Sequence, residues 1–172
     1  GVGDDVRRLQ GQARALLEGI NRFGKGPCHI VVPQCSRTRK AGGRGTWEAS
    51  DLDLLLKGLS SSLNFDSKRI YLTGNSMGGY GSWTWGGKSP QHFAAIAPVV
   101  GGIGPGGPKD VTPDLDQWAA NLAKVPVYAF AGANDRVVPA ERSERMVNAI
   151  RNAGGCLLYT SDAADESTGG GG

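Results

Sequence analysis

The sequence predicts an α/β protein with a mostly parallel sheet and helices on both faces. Three short runs of apolar, β-branched and aromatic residues are typical of buried strands. They cover residues 70–73, 93–100 and 126–131. Between them lie segments whose apolar residues recur at three- and four-residue spacing, which is the period of an amphipathic helix. Strand–helix–strand units of this kind form parallel pairs with right-handed crossovers.

The composition predicts one globular domain and argues against two classes of function. Of 172 residues, 39% are apolar and 20% are charged, and the net charge is only +3. The densest positive charge lies in a Gly-containing loop without interleaved aromatic residues, which indicates a solvated loop rather than a nucleic-acid surface. Its basic residues are Arg37, Arg39, Lys40 and Arg44. No apolar run is long enough to cross a bilayer.

Two helices and a strand are predicted in the first third of the chain. Apolar residues at helical spacing predict a helix over residues 6–21, with Asp4 or Asp5 as its cap. A short apolar strand follows at residues 29–33. Ser50 is expected to cap the second helix. The apolar stripe of that helix consists of Leu52, Leu55, Leu56, Leu59 and Leu63.

The remaining elements follow in the same alternation. A helix begins at Met77 and ends before Pro90, because the residue before a proline disfavours helical geometry. Residues 101–113 are too rich in Gly and Pro for regular structure, and they either wall a substrate cleft or form a plain surface loop. Helices are predicted at residues 115–123 and 140–153.

The C-terminal residues look foreign to the domain. Residues 156–166 read CLLYTSDAADE, which resembles the translation of a sequencing-library adapter, and residues 169–172 resemble translated poly-G. We therefore expect a domain over residues 1–155 and a non-native tail over residues 156–172. A natural flexible tail is the alternative. Leu157–Thr160 is apolar enough to pair as an opportunistic strand at the sheet edge.

The N-terminal residue leaves the compartment open. Gly1 is not the product of a start codon, so we expect the native N-terminus, with any signal peptide, to precede it.

The best candidate for a chemical role is Ser76, in the stretch Gly74-Asn75-Ser76-Met77-Gly78. This G-x-S-x-G pattern lies between a predicted strand and a predicted helix, which is the arrangement that lifts a serine hydroxyl above a sheet. We expect any side chain at Gly74 or Gly78 to collide with the turn. The amide of Met77, at the helix start, is predicted to face a developing oxyanion. An ordinary serine in a Gly-rich turn is the alternative.

A second glycine pair follows in the same helix. Gly79 and Gly81 suit a helix that packs closely on its strand.

A serine nucleophile needs a base and an acid that orients the base. Asp135 lies just beyond a predicted strand end, where such a carboxylate is expected. We predict Ser76 and Asp135 on adjacent loops at one edge of the sheet, with about 6 to 9 Å between hydroxyl and carboxylate. The two histidines of the chain, His29 and His92, both precede Asp135, and neither is expected to act as the base.

Three ordered motifs resemble the α/β-hydrolase serine esterases of the carboxylesterase, dienelactone-hydrolase and prolyl-oligopeptidase-like group. They are RIYLTGNSMGGYGSW, FAAIAPVVGG and PVYAFAGANDRVVP. The resemblance covers about residues 1–155 and implies a partial α/β-hydrolase fold. It implies Ser76 as nucleophile, Met77 as an oxyanion-hole amide and Asp135 as the triad acid.

The resemblance also marks what is missing. Residues 1–5 look like the trailing part of the H-G-x-G-type loop of the group, and both the opening strands and the segment with the catalytic His are absent. Trp47 matches a Trp near the cleft in the group, although a core Trp is equally plausible.

We therefore expect a truncated serine hydrolase whose intact parent cleaves small-molecule or polymer-linked carboxylic esters through an acyl-enzyme. The chain itself is expected to be nearly inactive, because the catalytic His is absent. No metal, cofactor or nucleic acid is implied. The alternatives are a serine peptidase or thioesterase on the same fold, or a non-catalytic α/β binding protein. The oligomeric state is left open.

Overall fold

The computed structural model describes residues 5–24, 26–35, 47–104 and 111–161. The chain divides into two compact units, Gly1–Thr46 and Trp47–Gly172. Several predictions concern residues outside the described ranges. They are the capping role of Asp4, the basic loop with Arg37, Arg39, Lys40 and Arg44, residues 105–110, and the tail beyond residue 161.

The first unit contains a single α-helix among its described residues. The Asp5 side chain accepts the N–H of Arg7 at 3.1 Å and caps a short 3₁₀ turn, Val6–Leu9. Helix α1, Gln10–Phe23, follows directly. The predicted strand at residues 29–33 is wrong, because this segment is not part of a strand ladder. An apolar run becomes a strand only where a neighbouring strand supplies hydrogen-bond partners.

The second unit alternates helices and strands as predicted. Its elements are α2 (Ala49–Ser62), β1 (Tyr71–Asn75), α3 (Met77–Lys88), β2 (Ala95–Val99), α4 (Leu115–Leu122), β3 (Val127–Phe130), α5 (Glu141–Asn152) and β4 (Leu157–Thr160). The predicted cap of α2 is wrong, since Glu48 occupies the cap position and Ser50 lies inside the first turn.

The four strands form one parallel sheet in the order β1-β2-β3-β4. Each crossover moves to the next strand in the same direction, so right-handed connections place α3, α4 and α5 on one face. Consistent with this, α3 contacts α4, and α4 contacts α5. The predicted α/β class with a mostly parallel sheet is confirmed. Because the connecting helices α3, α4 and α5 share one face, the expected helices on the other face stay a prediction. Leu157–Thr160 pairs with β3, as predicted for an apolar segment that meets an open edge.

The core lies between this sheet and the connecting helices. Its largest fully buried side chains include Trp83 of α3, Ile96 of β2, Leu122 of α4, and Met146 and Ile150 of α5. Burying one such apolar side chain contributes about 1.5–3 kcal/mol relative to leaving it exposed. Every connecting helix is therefore fixed to the sheet by its own apolar face.

Helix α3 approaches the end of β2 more closely than a side chain would allow. A Cβ at Gly79 would lie 2.5 Å from the carbonyl oxygen of Val99 and 2.9 Å from Cα of Gly101. Gly81 faces a side chain instead, because a Cβ there would lie 2.8 Å from Cγ of the Trp47 indole. The sequence prediction that this glycine pair lets the helix pack closely on its strand is confirmed for Gly79, whereas Gly81 makes room for the Trp47 indole.

This contact predicts a contrast between two neighbouring glycines of α3. Gly79→Ala should lower the free energy of unfolding by about 1–3 kcal/mol or more, because its methyl group meets backbone atoms that cannot move aside. Gly78→Ala is the matched control: its Cβ meets no atom within 4 Å outside the local helix backbone, and alanine favours the helix by about 1 kcal/mol. Urea unfolding of both variants measures the difference. Equal stability would contradict the close contact.

Candidate active site at the strand–helix turn

Ser76 lies between β1 and α3 in a backbone conformation that is rare for a residue with a side chain. Its φ is 54° and its ψ is −113°, and its side chain is exposed. Two backbone hydrogen bonds fix it: its N–H donates to the carbonyl of Val99 at 3.0 Å, and its carbonyl accepts the N–H of Tyr80 at 3.0 Å. Strained conformations of this kind cost about 1–3 kcal/mol and persist where the surroundings determine them.

The two glycines that flank Ser76 differ in whether a side chain would fit in their place. A Cβ at Gly74 would collide with the backbone of Gly78 and lie 2.7 Å from its Cα, so Gly74 is sterically required. The expectation that a side chain at Gly78 would collide with the turn is wrong. The added atom would meet no neighbour within 4 Å outside the local helix backbone, because it is the backbone of Gly78, and not its Cβ position, that faces Gly74.

Two side chains fix the first turn of α3. The indole N–H of Trp47 donates to the carbonyl of Met77 at 2.9 Å, and the hydroxyl of Ser82 donates to the carbonyl of Gly78 at 2.9 Å. Trp47 also packs partly buried against the core, so it serves the core and the turn together. The N–H of Met77 lies in the first helical turn, where amides lack an acceptor within the helix. Its role as a donor to an oxyanion stays a prediction.

Asp135 lies in the loop that follows β3. One carboxylate oxygen accepts the N–H groups of Val137 and Val138, both at 2.8 Å. These two backbone donors, Val138 first, lower the pKa of Asp135 below its ordinary value of 3.8. Desolvation opposes them, and the charge of Arg142 makes the smallest contribution, which lowers the pKa. The carboxylate is therefore ionised at neutral pH and held at one oxygen.

The sheet brings Ser76 and Asp135 to the same edge. Both residues follow the carboxyl end of a strand, and β1 and β3 run parallel with β2 between them. Two strand spacings amount to about 10 Å, a gap that two side chains and an imidazole can bridge. The loops of Ser76 and Asp135 are not neighbours along the sheet, and the separation of 6 to 9 Å between their polar atoms stays a prediction.

His92 is far from the turn at Ser76. Its Nε2 lies 3.2 Å from the carboxylate of Asp53, which also accepts the indole N–H of Trp85 at 2.7 Å and the hydroxyl of Ser89 at 3.0 Å. This cluster ties the C-terminal end of α3 to α2. A helix of 12 residues is about 18 Å long, so His92 and Ser76 lie at its opposite ends. His29 belongs to the first unit, in a segment without regular structure.

Other kinds of site have little support in the described part of the chain. No group of three or more His, Cys, Asp or Glu side chains there is arranged to hold a metal ion. Within the same ranges, no helix combines the length and the apolar character of a membrane span. An open cavity of about 630 Å³ lies between α4 and α5, and neither Ser76 nor Asp135 lines it.

The sequence prediction missed two residues near the turn. Tyr80 follows Ser76 by one helical turn, and Arg142 of α5 donates to its hydroxyl at 2.9 Å. A tyrosine four residues after the serine was a usable signal, since residues four apart share a helix face. Arg142 could not be paired with it from the sequence, because 62 positions separate the two.

The carboxylate of Asp135 predicts a pH-dependent contribution to stability. Its pKa is lower in the folded state than in the unfolded state, so its stabilisation is present above about pH 4 and is lost as the pH falls through the folded pKa. Asp135→Asn should therefore cost about 1 kcal/mol or less at pH 7, given partial exposure, and the difference from the parent should shrink as the pH falls through the folded pKa. Urea unfolding across pH, with Asp116→Asn as control, measures this. A stability difference between the parent and Asp135→Asn that persists in acid would contradict the claim that the ionised carboxylate causes it.

The comparison with known proteins agrees with the geometry. The profile of the dienelactone hydrolase family matches residues 44–157. A search of curated proteins found no match. Among solved structures, a thermostable esterase is 31% identical over 68% of this chain, with a TM-score of 0.57, and the chain spans 28% of that protein.

Two further structures share the fold. A candidate dienelactone hydrolase from Klebsiella pneumoniae subsp. pneumoniae MGH 78578 is 24% identical, with a TM-score of 0.54, over 67% of this chain and 47% of its own. A ferulic acid esterase is 16% identical, with a TM-score of 0.65, over 95% of this chain and 74% of its own. The family match covers more than half of the 172 residues. The chain belongs to the dienelactone hydrolase family and has the α/β-hydrolase fold.

Proposed function

We propose that this chain carries the nucleophile and the acid of a serine hydrolase that cleaves carboxylic esters. The observation that carries the proposal is the conformation of Ser76, an exposed serine at positive φ between a parallel strand and a helix. Strain of this kind is typical of functional sites. The similarity to a thermostable esterase supports an ester rather than an amide as the substrate.

In the proposed reaction, the hydroxyl oxygen of Ser76 attacks the ester carbonyl while a base takes its proton. The N–H of Met77 donates to the oxygen that becomes negative, and the positive end of the α3 dipole adds to this stabilisation. The alcohol leaves with the proton from the base, and water then hydrolyses the acyl-enzyme.

Asp135 has the role of orienting the base. Its carboxylate is ionised, because two backbone N–H groups donate to one of its oxygens. The other oxygen would accept an imidazole N–H, which would fix the ring and stabilise the imidazolium that forms.

The base is the component that the sequence lacks. Both histidines precede Asp135, and His92 lies at the far end of α3 from Ser76. Loss of the base of a serine triad costs about a millionfold in turnover. We therefore expect this chain alone to hydrolyse esters very slowly, and we expect activity only when flanking sequence supplies the histidine.

Ester hydrolysis by matched proteins tests this function. The substrate is a p-nitrophenyl ester. The proteins are the 172-residue chain and an extended protein, in which residues 1–155 are continued at both ends by the parent coding sequence. We expect the extended protein to be active and its Ser76→Ala variant to lose at least about 10⁴-fold in turnover. Ser67→Ala, which changes an exposed serine before β1, should retain full activity.

Three results would contradict the proposal or a part of it. Activity of the extended protein that survives Ser76→Ala would remove Ser76 from the role of nucleophile. Activity of the 172-residue chain that disappears with Ser76→Ala would show that a base exists among its own residues. An inactive extended protein would favour a non-catalytic binding role.

A further inference from the structure

Arg142 joins the two loops that carry the proposed nucleophile and acid. It lies in the first turn of α5, and its Nη1 donates to the hydroxyl of Tyr80 at 2.9 Å and to the carbonyl of Val137 at 3.2 Å. One guanidinium nitrogen thus bonds to the helix after β1 and to the loop after β3.

Each partner of Arg142 is itself hydrogen-bonded to a proposed site residue, Tyr80 to Ser76 and Val137 to Asp135. The backbone N–H of Tyr80 donates to the carbonyl of Ser76. Val137 donates its N–H to Asp135. The next peptide group accepts from the guanidinium at the carbonyl of Val137 and donates the N–H of Val138 to Asp135. The path from Ser76 through Tyr80, Arg142 and Val137 to Asp135 contains only contacts of hydrogen-bonding length.

Neighbouring contacts hold both ends of this path in place. The ring of Tyr80 lies against Gly102, where a Cβ would come within 2.6 Å of it. The residue after Arg142, Ser143, is buried and donates its hydroxyl to the carbonyl of Gly101 at 2.7 Å. The start of α5 is therefore attached to the segment after β2, between the two loops.

We propose that Arg142 is a positioning residue, which sets the place of Asp135 relative to Ser76 by bonding the acid loop to Tyr80. The hydrogen bonds of Arg142 do not depend on the proposed function. Only the catalytic importance of the spacing between Asp135 and Ser76 rests on it. Arginine suits the role because it stays charged at any working pH, and because its planar group can serve two acceptors at once. Its charge also favours the ionised form of Asp135.

The test uses the 172-residue chain and readouts that need no activity. Nuclear magnetic resonance measures hydrogen exchange at the amides of Val137 and Val138, and the titration of the Asp135 carboxyl carbon. The variants are Arg142→Met, Arg142→Lys and Tyr80→Phe. Arg145→Met is the matched control, because it removes the same charge from an exposed position on the same helix.

Arg142→Met should accelerate exchange at both amides by about tenfold or more and raise the pKa of Asp135, since the loop loses its link to α3. Arg142→Lys should recover part of each effect, and Tyr80→Phe should give an intermediate one. Arg145→Met should match the parent chain. A residue that only stabilises the fold would lower the melting temperature without moving the Asp135 titration.

The proposal is overturned if Arg142→Met changes exchange and titration no more than Arg145→Met does. If Arg142→Met does not fold, Tyr80→Phe decides, since it removes a single hydroxyl, and unchanged exchange at Val137 and Val138 then overturns the proposal. Failure of Ser76 as the nucleophile would appear in ester hydrolysis and leave these readouts unaffected.

Discussion

The close contact between α3 and the end of β2 is the constraint on which the rest of the site depends. Gly79 lies directly against Val99 and Gly101, and no other residue type fits at that separation. Because the helix is held there, the N–H of Ser76 reaches the carbonyl of Val99. That hydrogen bond fixes the serine in its strained conformation, so the packing of helix on sheet determines where the hydroxyl points.

The core stabilises the strain at the turn. One residue at unfavourable φ costs about 1–3 kcal/mol, which the burial of one or two core side chains offsets. Trp83, on the same helix as the turn, is fully buried. The polar contacts at the turn then select one geometry. Trp47 fixes the first helical turn, and Arg142 attaches the acid loop to the same helix.

The sequence predicts the local elements of this fold better than its long-range contacts. The strand before Ser76, the helix after it and the parallel sheet all follow from periodicity and glycine placement. The strand predicted around His29 fails, because an apolar run alone does not supply a pairing partner. The prediction that a side chain at Gly78 would collide with the turn is wrong for a related reason. The pattern G-x-S-x-G does not tell at which of its two glycines a Cβ would meet backbone atoms. Arg142 and Tyr80 meet only in the folded chain, and no local signal pairs them.

The central claim is that this packing presents Ser76 as a nucleophile, and covalent labelling tests it most directly. An activated serine displaces fluoride from the phosphorus of a fluorophosphonate and stays covalently phosphonylated. The extended protein would be treated with the reagent and digested, and its peptides would be identified by mass spectrometry. The account predicts a single modified peptide that contains Ser76, and no labelling in the Ser76→Ala variant. Labelling of a different residue, or ester hydrolysis that continues while Ser76 stays unmodified, would contradict it.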